Sequence, residues 1–127
     1  MGAGYGLLSS ALLGAFPNAK VTLQDVSEAM FTHARERLRD FAGRTSFATS
    51  DFSQRDWTEA LVGPFNVAVS AIAIHNMYGD DRISAVYKDI HALLAPNGAL
   101  INLDYAGQSG GVDAHVAWLK RRPASAA

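Results

Sequence analysis

The sequence predicts an α/β fold, in which helices cover a mostly parallel sheet. Short apolar runs alternate with segments whose apolar residues recur every three or four positions, and this alternation is typical of β-α-β units. The run at 65–74, FNVAVSAIAI, is apolar almost throughout. Such continuous apolarity is expected of a parallel strand that helices cover on both faces.

The predicted elements follow the order α-β-α-β-α-β-α-β-α, and turn residues separate them. Pro17 ends the first helix, Gly43 the second and Pro64 the third, while Pro96, Asn97 and Gly98 form a turn before the last strand. The predicted strands are 21–26, 45–49, 65–74 and 99–103. The predicted helices are 5–16, 27–41, 54–61, 80–94 and 112–122.

Periodicity within each helix predicts the face that is buried. Ser27 is expected to cap the second helix, and Asp80 to open the fourth. The predicted buried stripes are Leu8, Leu12, Leu13 and Phe16; Met30, Ala34, Leu38 and Phe41; and Ile83, Val86, Tyr87, Ile90, Leu93 and Leu94.

Composition excludes several classes of site. The 127 residues are enough for one domain, and the absence of cysteine excludes disulfides, cysteine-ligated metals and a thiol nucleophile. With 11 basic and 12 acidic residues, no nucleic-acid partner is expected. The four histidines form no zinc pair at i, i+4, so no metal site is expected. The apolar stretch 3–16 has no preceding cation and is too short to cross a bilayer, so we expect a cytoplasmic protein with no membrane partner.

A glycine-rich loop, Gly2-Ala3-Gly4-Tyr5-Gly6, precedes the first helix. Glycines let the backbone approach a ligand closely, and the helix N-terminus offers N–H groups. A dinucleotide fingerprint needs a third glycine where this chain has Leu7. A turn that binds no ligand is the alternative interpretation.

Two acids close the strands that follow the loop. Asp25 ends the strand about twenty residues on, where a carboxylate accepts both hydroxyls of a ribose. Asp51 follows the next strand and is placed to accept a hydrogen bond from an exocyclic amine. Both lie at carboxyl ends of parallel strands, the edge where open α/β sheets bind ligands. Alternatively, both are helix caps or turn residues.

His75 follows the most apolar strand and is a candidate base for a hydroxyl or amine nucleophile. The alternative is a strand-end histidine that bonds a neighbouring loop. Asp104 and Tyr105 end the last strand on the same edge, where they face a substrate or serve as capping and packing residues.

With these motifs in this order, the sequence resembles the class I, Rossmann-like methyltransferases that depend on S-adenosylmethionine. GAGYG resembles the family's glycine motif, LQDVSEAM its second motif and SDF its third. FNVAVSAIAIHNM is similar to the motif on the fourth strand, and LLAPNGALINLDY to the helix-turn-strand signature after it. The resemblance covers the chain from Gly2 to about Tyr105.

The resemblance implies a three-layer sandwich, S-adenosylmethionine as cofactor and methyl transfer to oxygen or nitrogen of a small molecule. It implies that Asp25 holds the ribose, that Asp51 lies near the adenine amino group, and that His75 faces the substrate as the catalytic residue. The implied cofactor-binding residues are Gly2, Ala3, Gly4, Gly6, Asp25, Val26, Met30, Asp51, Phe52, Ser70 and Ala71.

The sequence departs from the family pattern at both ends. The family has a hydrophobic strand before the glycine motif and a β-hairpin after the last helix, and this sequence has neither. We therefore expect an incomplete sheet, with a partial cofactor-binding domain at 1–122 and a disordered tail at 123–127. Three arrangements stay open: the chain is a fragment, strands 21–26 and 65–74 pair directly, or a second copy forms a homo-oligomer that covers the strand edges.

Two other functions stay open. An inactive fragment or pseudoenzyme would act as a binding or oligomerising module and would expose an apolar edge. An NAD(P)-dependent oxidoreductase is the third interpretation, and Leu7 argues against it because the dinucleotide fingerprint needs glycine there.

Overall fold

The computed structural model describes residues 1–77 and 79–104. Within them the helices are α1 (Leu7–Ala15), α2 (Glu28–Arg37) and α3 (Asp80–Leu93). The strands are β1 (Val21–Asp25), β2 (Thr45–Thr49), β3 (Phe65–Ala71) and β4 (Leu94–Leu103). Short 3-10 helices occupy Arg39–Arg44, Trp57–Ala60 and Ile74–Asn76. The predicted helix at 112–122, the tail at 123–127 and Tyr105 lie outside the described residues.

The described strands pair in parallel, as the alternation of elements predicts, but they form two separate two-stranded sheets instead of one. In one sheet β1 pairs with β2, from Val21 opposite Thr45 to Asp25 opposite Thr49. In the other, β3 pairs with β4, from Val67 opposite Ala99 to Ala71 opposite Leu103. In the described part of the chain no ladder joins β1 to β3, so of the three arrangements left open, direct pairing of these two strands is not the one adopted.

The first three residues lie between the two sheets and contact both. The Met1 amino group donates to the carbonyl oxygen of Val69 in β3 at 2.7 Å. On the other side, the Ala3 N–H donates to the carbonyl oxygen of Gln24 in β1 at 2.9 Å. These bonds bring the glycine loop to the carboxyl ends of the strands, because Gln24 is the next-to-last residue of β1.

The core consists of two clusters, one for each sheet. Where α1 and α2 pack against β1, the buried residues are Leu13, Leu23, Phe31, Ala34 and Leu38. Where α3 packs against β3 and β4, they are Trp57, Ile74, Val86 and Ile90. Of the predicted stripes, the one on α3 is confirmed at Val86 and Ile90, which are both fully buried.

The buried stripe predicted for α1 is wrong at two of its positions. Leu13 is buried, but Leu8 is 42% exposed and Phe16 is 58% exposed. Ser9 is buried instead. The prediction places leucines on the buried face because they are apolar. In the structure, the buried face of α1 is the one that contains Ser9 and Leu13.

Other boundaries also differ from the prediction: the first helix begins at Leu7, and the predicted helix at 54–61 is a 3-10 helix over Trp57–Ala60. The second helix ends at Arg37, and the chain continues as a 3-10 helix through Gly43 to Arg44. Strand β3 ends at Ala71 rather than at Ile74, because Ile72 adopts a left-handed backbone with φ of 52°. The predicted turn at 96–98 lies within β4. It interrupts the ladder with β3 between the residue pairs Phe65–Leu94 and Val67–Ala99.

No helix in the described ranges is both long enough and apolar enough to cross a membrane.

Candidate functional site

A cavity of about 290 Å³ opens at the carboxyl ends of β1, β2 and β3. This is the edge at which open α/β sheets bind ligands. The cavity combines residues of the glycine loop, the strand ends and the 3-10 helix at Ile74–Asn76. It is lined by Gly2, Asp25, Val26, Asp51, Phe52, Ile72, Ala73, Asn76 and Met77.

The glycine loop is held against β1 by the side chains at the end of that strand. The Gly4 N–H donates to Asp25 Oδ2 at 2.8 Å, and the Gly2 N–H donates to Gln24 Oε1 at 3.2 Å. Gln24 is buried, and its amide nitrogen donates to the carbonyl oxygen of Ser50 at 2.6 Å. One buried side chain therefore joins the glycine loop to the segment that contains Asp51.

Gly2 is required both by its backbone and by its surroundings. It adopts a φ of +58°, in the left-handed region that favours glycine. A Cβ atom at this position would lie 2.4 Å from the Cβ of Ala73. The cavity wall is therefore built by the close approach of the loop backbone to the chain just after β3.

Asp25 is both a turn residue and part of the cavity wall. Its Oδ1 accepts a hydrogen bond from the Ser27 N–H at 2.9 Å, and its Oδ2 accepts the bond from Gly4. A carboxylate has roughly four lone-pair sites, so these two bonds leave acceptor capacity on the same group. Ser27 caps α2, as predicted, by accepting from the Met30 N–H at 3.3 Å.

Asp51 is fixed by the turn that follows it. Its Oδ1 accepts a hydrogen bond from the Ser53 N–H at 2.8 Å. Hydrogen bonds from the Ser53 side chain and backbone lower the pKa of Asp51 below its usual value. The group is therefore an anionic acceptor at neutral pH, at the edge of the cavity.

Arg82 of α3 holds the loop that contains Phe52. Its Nε and Nη2 donate to the Phe52 carbonyl oxygen at 3.0 and 2.7 Å, and Nη2 also donates to the Gln54 carbonyl oxygen at 2.7 Å. The Phe52 ring meets the buried Trp57 ring edge to face, with centroids 6.2 Å apart. The aromatic wall of the cavity is thus supported from behind by the core of the β3–β4 sheet.

His75 lies next to the cavity wall, between the lining residues Ala73 and Asn76. It contacts Asp104 twice: the backbone N–H donates to Oδ2 at 2.9 Å, and the imidazole Nδ1 is hydrogen-bonded to Oδ1. Asp104 directly follows β4. The structure therefore brings together two residues that sequence analysis named separately.

The other predicted cofactor-binding residues are not part of the cavity lining. Ala3, Gly4 and Gly6 build the loop, with Gly6 packed against Ala34 of α2, and Met30 is half-buried on α2. Ser70 is buried opposite Asn102, on the α3 side of its sheet, and its hydroxyl has no hydrogen-bond partner among the described residues. Ala71 pairs with Leu103.

Sequence reasoning missed several residues of the site. These are Gln24, Ile72, Ala73, Asn76, Met77 and Arg82. Four of them, Ile72, Ala73, Asn76 and Met77, lie in the motif FNVAVSAIAIHNM. The motif indicates which chain segment is near the site, but not which of its side chains line the cavity. In residues 1–77 and 79–104, no group of three or more His, Asp or Glu side chains is arranged to hold a metal ion.

Comparisons with known proteins agree on one family. A family model described as "Methyltransferase domain" matches residues 1–100. The malonyl-[acyl-carrier protein] O-methyltransferase of Magnetococcus marinus is 29% identical over 100 residues, which are 79% of this chain and 34% of that protein. The chain therefore spans about a third of this curated relative.

Solved structures share the fold at low sequence identity. The structure titled "DhpI-SAM-HEP complex" has a TM-score of 0.69 at 22% identity, over 91% of this chain and 49% of that one. The glycopeptide N-methyltransferase MtfA, solved with S-adenosyl-L-methionine, has a TM-score of 0.65 at 23% identity, over 80% of this chain and 41% of that one. These similarities confirm the Rossmann-like α/β fold class.

Proposed function

Because this chain belongs to the methyltransferase domain family, we propose that it binds S-adenosylmethionine and transfers its methyl group to oxygen or nitrogen of a small molecule. The observation that carries the proposal is the cavity at the carboxyl strand ends, where the glycine loop, Asp25 and Asp51 meet. The solved neighbours support the choice of cofactor, since MtfA is described as a complex with S-adenosyl-L-methionine.

The residues in the cavity fit the adenosine part of this cofactor. Asp25 has acceptor capacity left for ribose hydroxyls after its bonds to Gly4 and Ser27. Asp51 is an acceptor for an amino group, and Phe52 and Val26 offer apolar surface to an aromatic ring. The volume of about 290 Å³ lies at the lower end of the range for small-molecule sites.

Binding and alignment are the main tasks of these residues. When bound, the sulfonium supplies an electrophilic methyl group, so the transfer requires no metal. Holding two reactants at attack distance contributes on the order of 7–11 kcal/mol to catalysis. The hydrogen-bonded loop, Asp25 and the Arg82-supported wall are suited to this because they are positioned before any ligand arrives.

His75 is the residue we assign to the acceptor. It lies beside the cavity rather than in its lining. A substrate could therefore contact His75 while the cofactor occupies the cavity. Its imidazole is a candidate base that takes a proton from a hydroxyl or amine nucleophile. The names of the relatives, an O-methyltransferase and an N-methyltransferase, support both kinds of acceptor.

Calorimetric titration with S-adenosylhomocysteine tests cofactor binding. Val26→Asp is the informative variant, because Val26 lines the cavity but is 63% exposed, so the change leaves the core intact. Val62→Asp is the matched control, since Val62 is 89% exposed and lies outside the cavity lining. We expect Val26→Asp to weaken binding at least tenfold and Val62→Asp to leave it unchanged; equal affinities would place the ligand elsewhere.

A binding module without activity is a second candidate, and one observation favours it. Val67, Ile101 and Leu103 are 49%, 58% and 67% exposed on the β3–β4 sheet. In the described chain, this sheet is thus not covered on both faces as expected. If the chain is such a module, it should self-associate through these three residues. Light scattering measures the self-association, and Ile101→Ser should abolish it.

The family match gives no support to the oxidoreductase interpretation.

A further inference from the structure

We propose that Gln24 is a positioning residue that couples the glycine loop to the segment 50–53, so that the two segments respond to a bound nucleoside as one unit. The inference deepens the proposed function and rests on it, because Gly2 of the loop and Asp51 and Phe52 of the segment line the proposed cofactor cavity. It comes from the hydrogen bonds of one buried amide near the carboxyl end of β1.

Gln24 is a polar residue in a buried position. It is the next-to-last residue of β1 and is 2% exposed, and the neighbouring Leu23 is 1% exposed and belongs to the core. Burying a side-chain amide is unfavourable unless its donor and acceptor have partners. In the described ranges the amide bonds to the two segments at the cavity, so its burial is compensated when both segments are in place.

The amide contacts one segment with its oxygen and the other with its nitrogen. Oε1 accepts from the Gly2 N–H at 3.2 Å, and Nε2 donates to the Ser50 carbonyl oxygen at 2.6 Å. An amide turned over would place its NH₂ group against the Gly2 N–H and its oxygen against the Ser50 carbonyl. The two bonds therefore select the same orientation of the Gln24 amide, and neither is independent of the other.

Neighbouring bonds extend this link to groups that the Gln24 amide does not contact. The Ala3 N–H donates to the Gln24 carbonyl oxygen at 2.9 Å, and the Ser50 N–H donates to the Asp25 carbonyl oxygen at 3.0 Å. The Asp25 carboxylate in turn accepts from the Gly4 N–H. Consecutive side chains of β1 thus hold alternate N–H groups of the glycine loop, and one of these side chains also holds the segment 50–53.

This link has a consequence for ligand binding. A ligand that orders the wall at Asp51 and Phe52 also orders the glycine loop through Gln24, so the loop contacts form with a smaller loss of conformational entropy. Without the amide, the ligand would have to order the two segments separately. Gln24 should therefore strengthen the binding of a nucleoside although it lies outside the cavity lining.

Hydrogen exchange of the ligand-free chain tests the coupling. The reporter is the Gly4 N–H, and the perturbation is Asp51→Ala, which removes the carboxylate that accepts from the Ser53 N–H. We expect Asp51→Ala to speed exchange at Gly4 by roughly threefold or more with Gln24 present and to leave it unchanged in Gln24→Leu. The Ser53 N–H should exchange faster in both cases, as a check that the turn is loosened. Equal acceleration at Gly4 with and without Gln24, or none in either, would overturn the coupling.

Gln24→Glu breaks one of the two links and keeps the shape of the side chain. A carboxylate accepts from the Gly2 N–H but cannot donate to the Ser50 carbonyl, whereas a protonated carboxyl group can. By calorimetry at pH 8.5 we expect Gln24→Glu to bind S-adenosylhomocysteine roughly tenfold more weakly than the unaltered protein, and the difference to close toward pH 5.5, because burial favours protonation of the introduced group. Gln24→Leu should stay weaker at every pH. A difference between Gln24→Glu and the unaltered protein that does not change with pH would overturn the positioning role.

The pH profile is taken as the ratio of the two affinities. The titratable groups around the joined segments are the carboxylates of Asp25 and Asp51 and the Met1 amino group, which interacts electrostatically with Asp25. Burial lowers the pKa of that amino group to about 6. Both proteins contain these three groups, so their titration appears in both affinities and leaves the introduced carboxyl group as the difference.

Ile90→Val is the matched control for a loss of stability, because Ile90 is 1% exposed in the core of the other sheet and lies outside the cavity lining. It should bind S-adenosylhomocysteine within twofold of the unaltered protein. If the unaltered protein binds and Gln24→Leu binds equally well, this inference fails alone. If the unaltered protein does not bind, the proposed function fails, and the exchange measurement on the ligand-free chain still decides the role of Gln24.

Discussion

The guanidinium of Arg82 is the part of the molecule whose removal should most selectively loosen the proposed cofactor site. Arg82 is four-fifths buried and lies on α3, outside the cavity lining. It donates three hydrogen bonds to the carbonyl oxygens of Phe52 and Gln54. Arg82→Met keeps the aliphatic stem and removes all three bonds, together with the 3.7 Å ion pair between Arg82 and Asp89.

The size of the effect follows from these bonds. A hydrogen bond that involves a charged group contributes about 1.5–3 kcal/mol to stability, whereas leaving a carbonyl open to water costs less. Water reaches the Gln54 end of the loop, so we expect the loss of all three bonds together to cost about as much as one such bond, about 1.5–3 kcal/mol. If ligand binding must order the loop again, this free energy corresponds to a roughly 10- to 100-fold loss of affinity.

Calorimetry with S-adenosylhomocysteine is the assay, and Arg39→Met is the matched control, because Arg39 is exposed on the 3-10 helix away from the cavity. Hydrogen exchange should show faster exchange in the loop around Phe52 in Arg82→Met alone. If Arg82→Met binds within twofold of the unaltered protein while its loop exchanges faster, Phe52 does not form the wall that holds the ligand.

Three further predictions concern stability, measured by urea unfolding. Gly2→Ala and Gly4→Ala both place alanine at positive φ, but of the two positions only Gly2 lacks room for a Cβ. We therefore expect Gly2→Ala to lower the free energy of unfolding by about 1–3 kcal/mol more than Gly4→Ala does. Equal losses would refute the close approach of Gly2 to Ala73. Arg44 donates to the carbonyl oxygens of Leu13, Phe16 and Ala19 at the end of α1, so Arg44→Met should lose about 1–3 kcal/mol; a loss no larger than that of Arg39→Met would contradict the capping role. The lowered pKa of Asp51 means that its stabilising contribution is present above the pKa of the unfolded chain and is lost as pH falls through the folded pKa. The stability difference between the unaltered protein and Asp51→Asn should therefore be largest near neutral pH and shrink in acid, and a difference that is constant with pH would exclude the carboxylate as its source.

The strand ends and the glycine loop were predictable because residue type and spacing determine them. Gly2, Gly4 and Gly6 all adopt positive φ, and an acid that closes a parallel strand lies at the ligand-binding edge whatever the details of packing. Asp25 and Asp51 accordingly line the cavity. The alternative interpretation of both as turn residues is also correct, since each carboxylate accepts a hydrogen bond from a backbone N–H two residues on.

The rest of the site depends on contacts between distant residues, which periodicity does not encode. Arg82 supports a loop thirty residues away in the chain. Ala73 lines the cavity because β3 stops at Ala71 and Ile72 turns the backbone, although the apolar run gives no sign of an end there. The same limit explains Leu8 on α1, because α1 contains no charged residue that would mark the side facing solvent.

The most direct test of the central proposal is the footprint of S-adenosylhomocysteine on the backbone amide signals of the full chain, measured by NMR. We expect the largest shifts at Gly2, Val26, Asp51, Phe52 and Asn76, which meet at the cavity from four separate segments. Amides of α3 that face away from the cavity should stay unshifted. Shifts confined to another surface, or no shifts at saturating ligand, would contradict the assignment of this cavity to the cofactor.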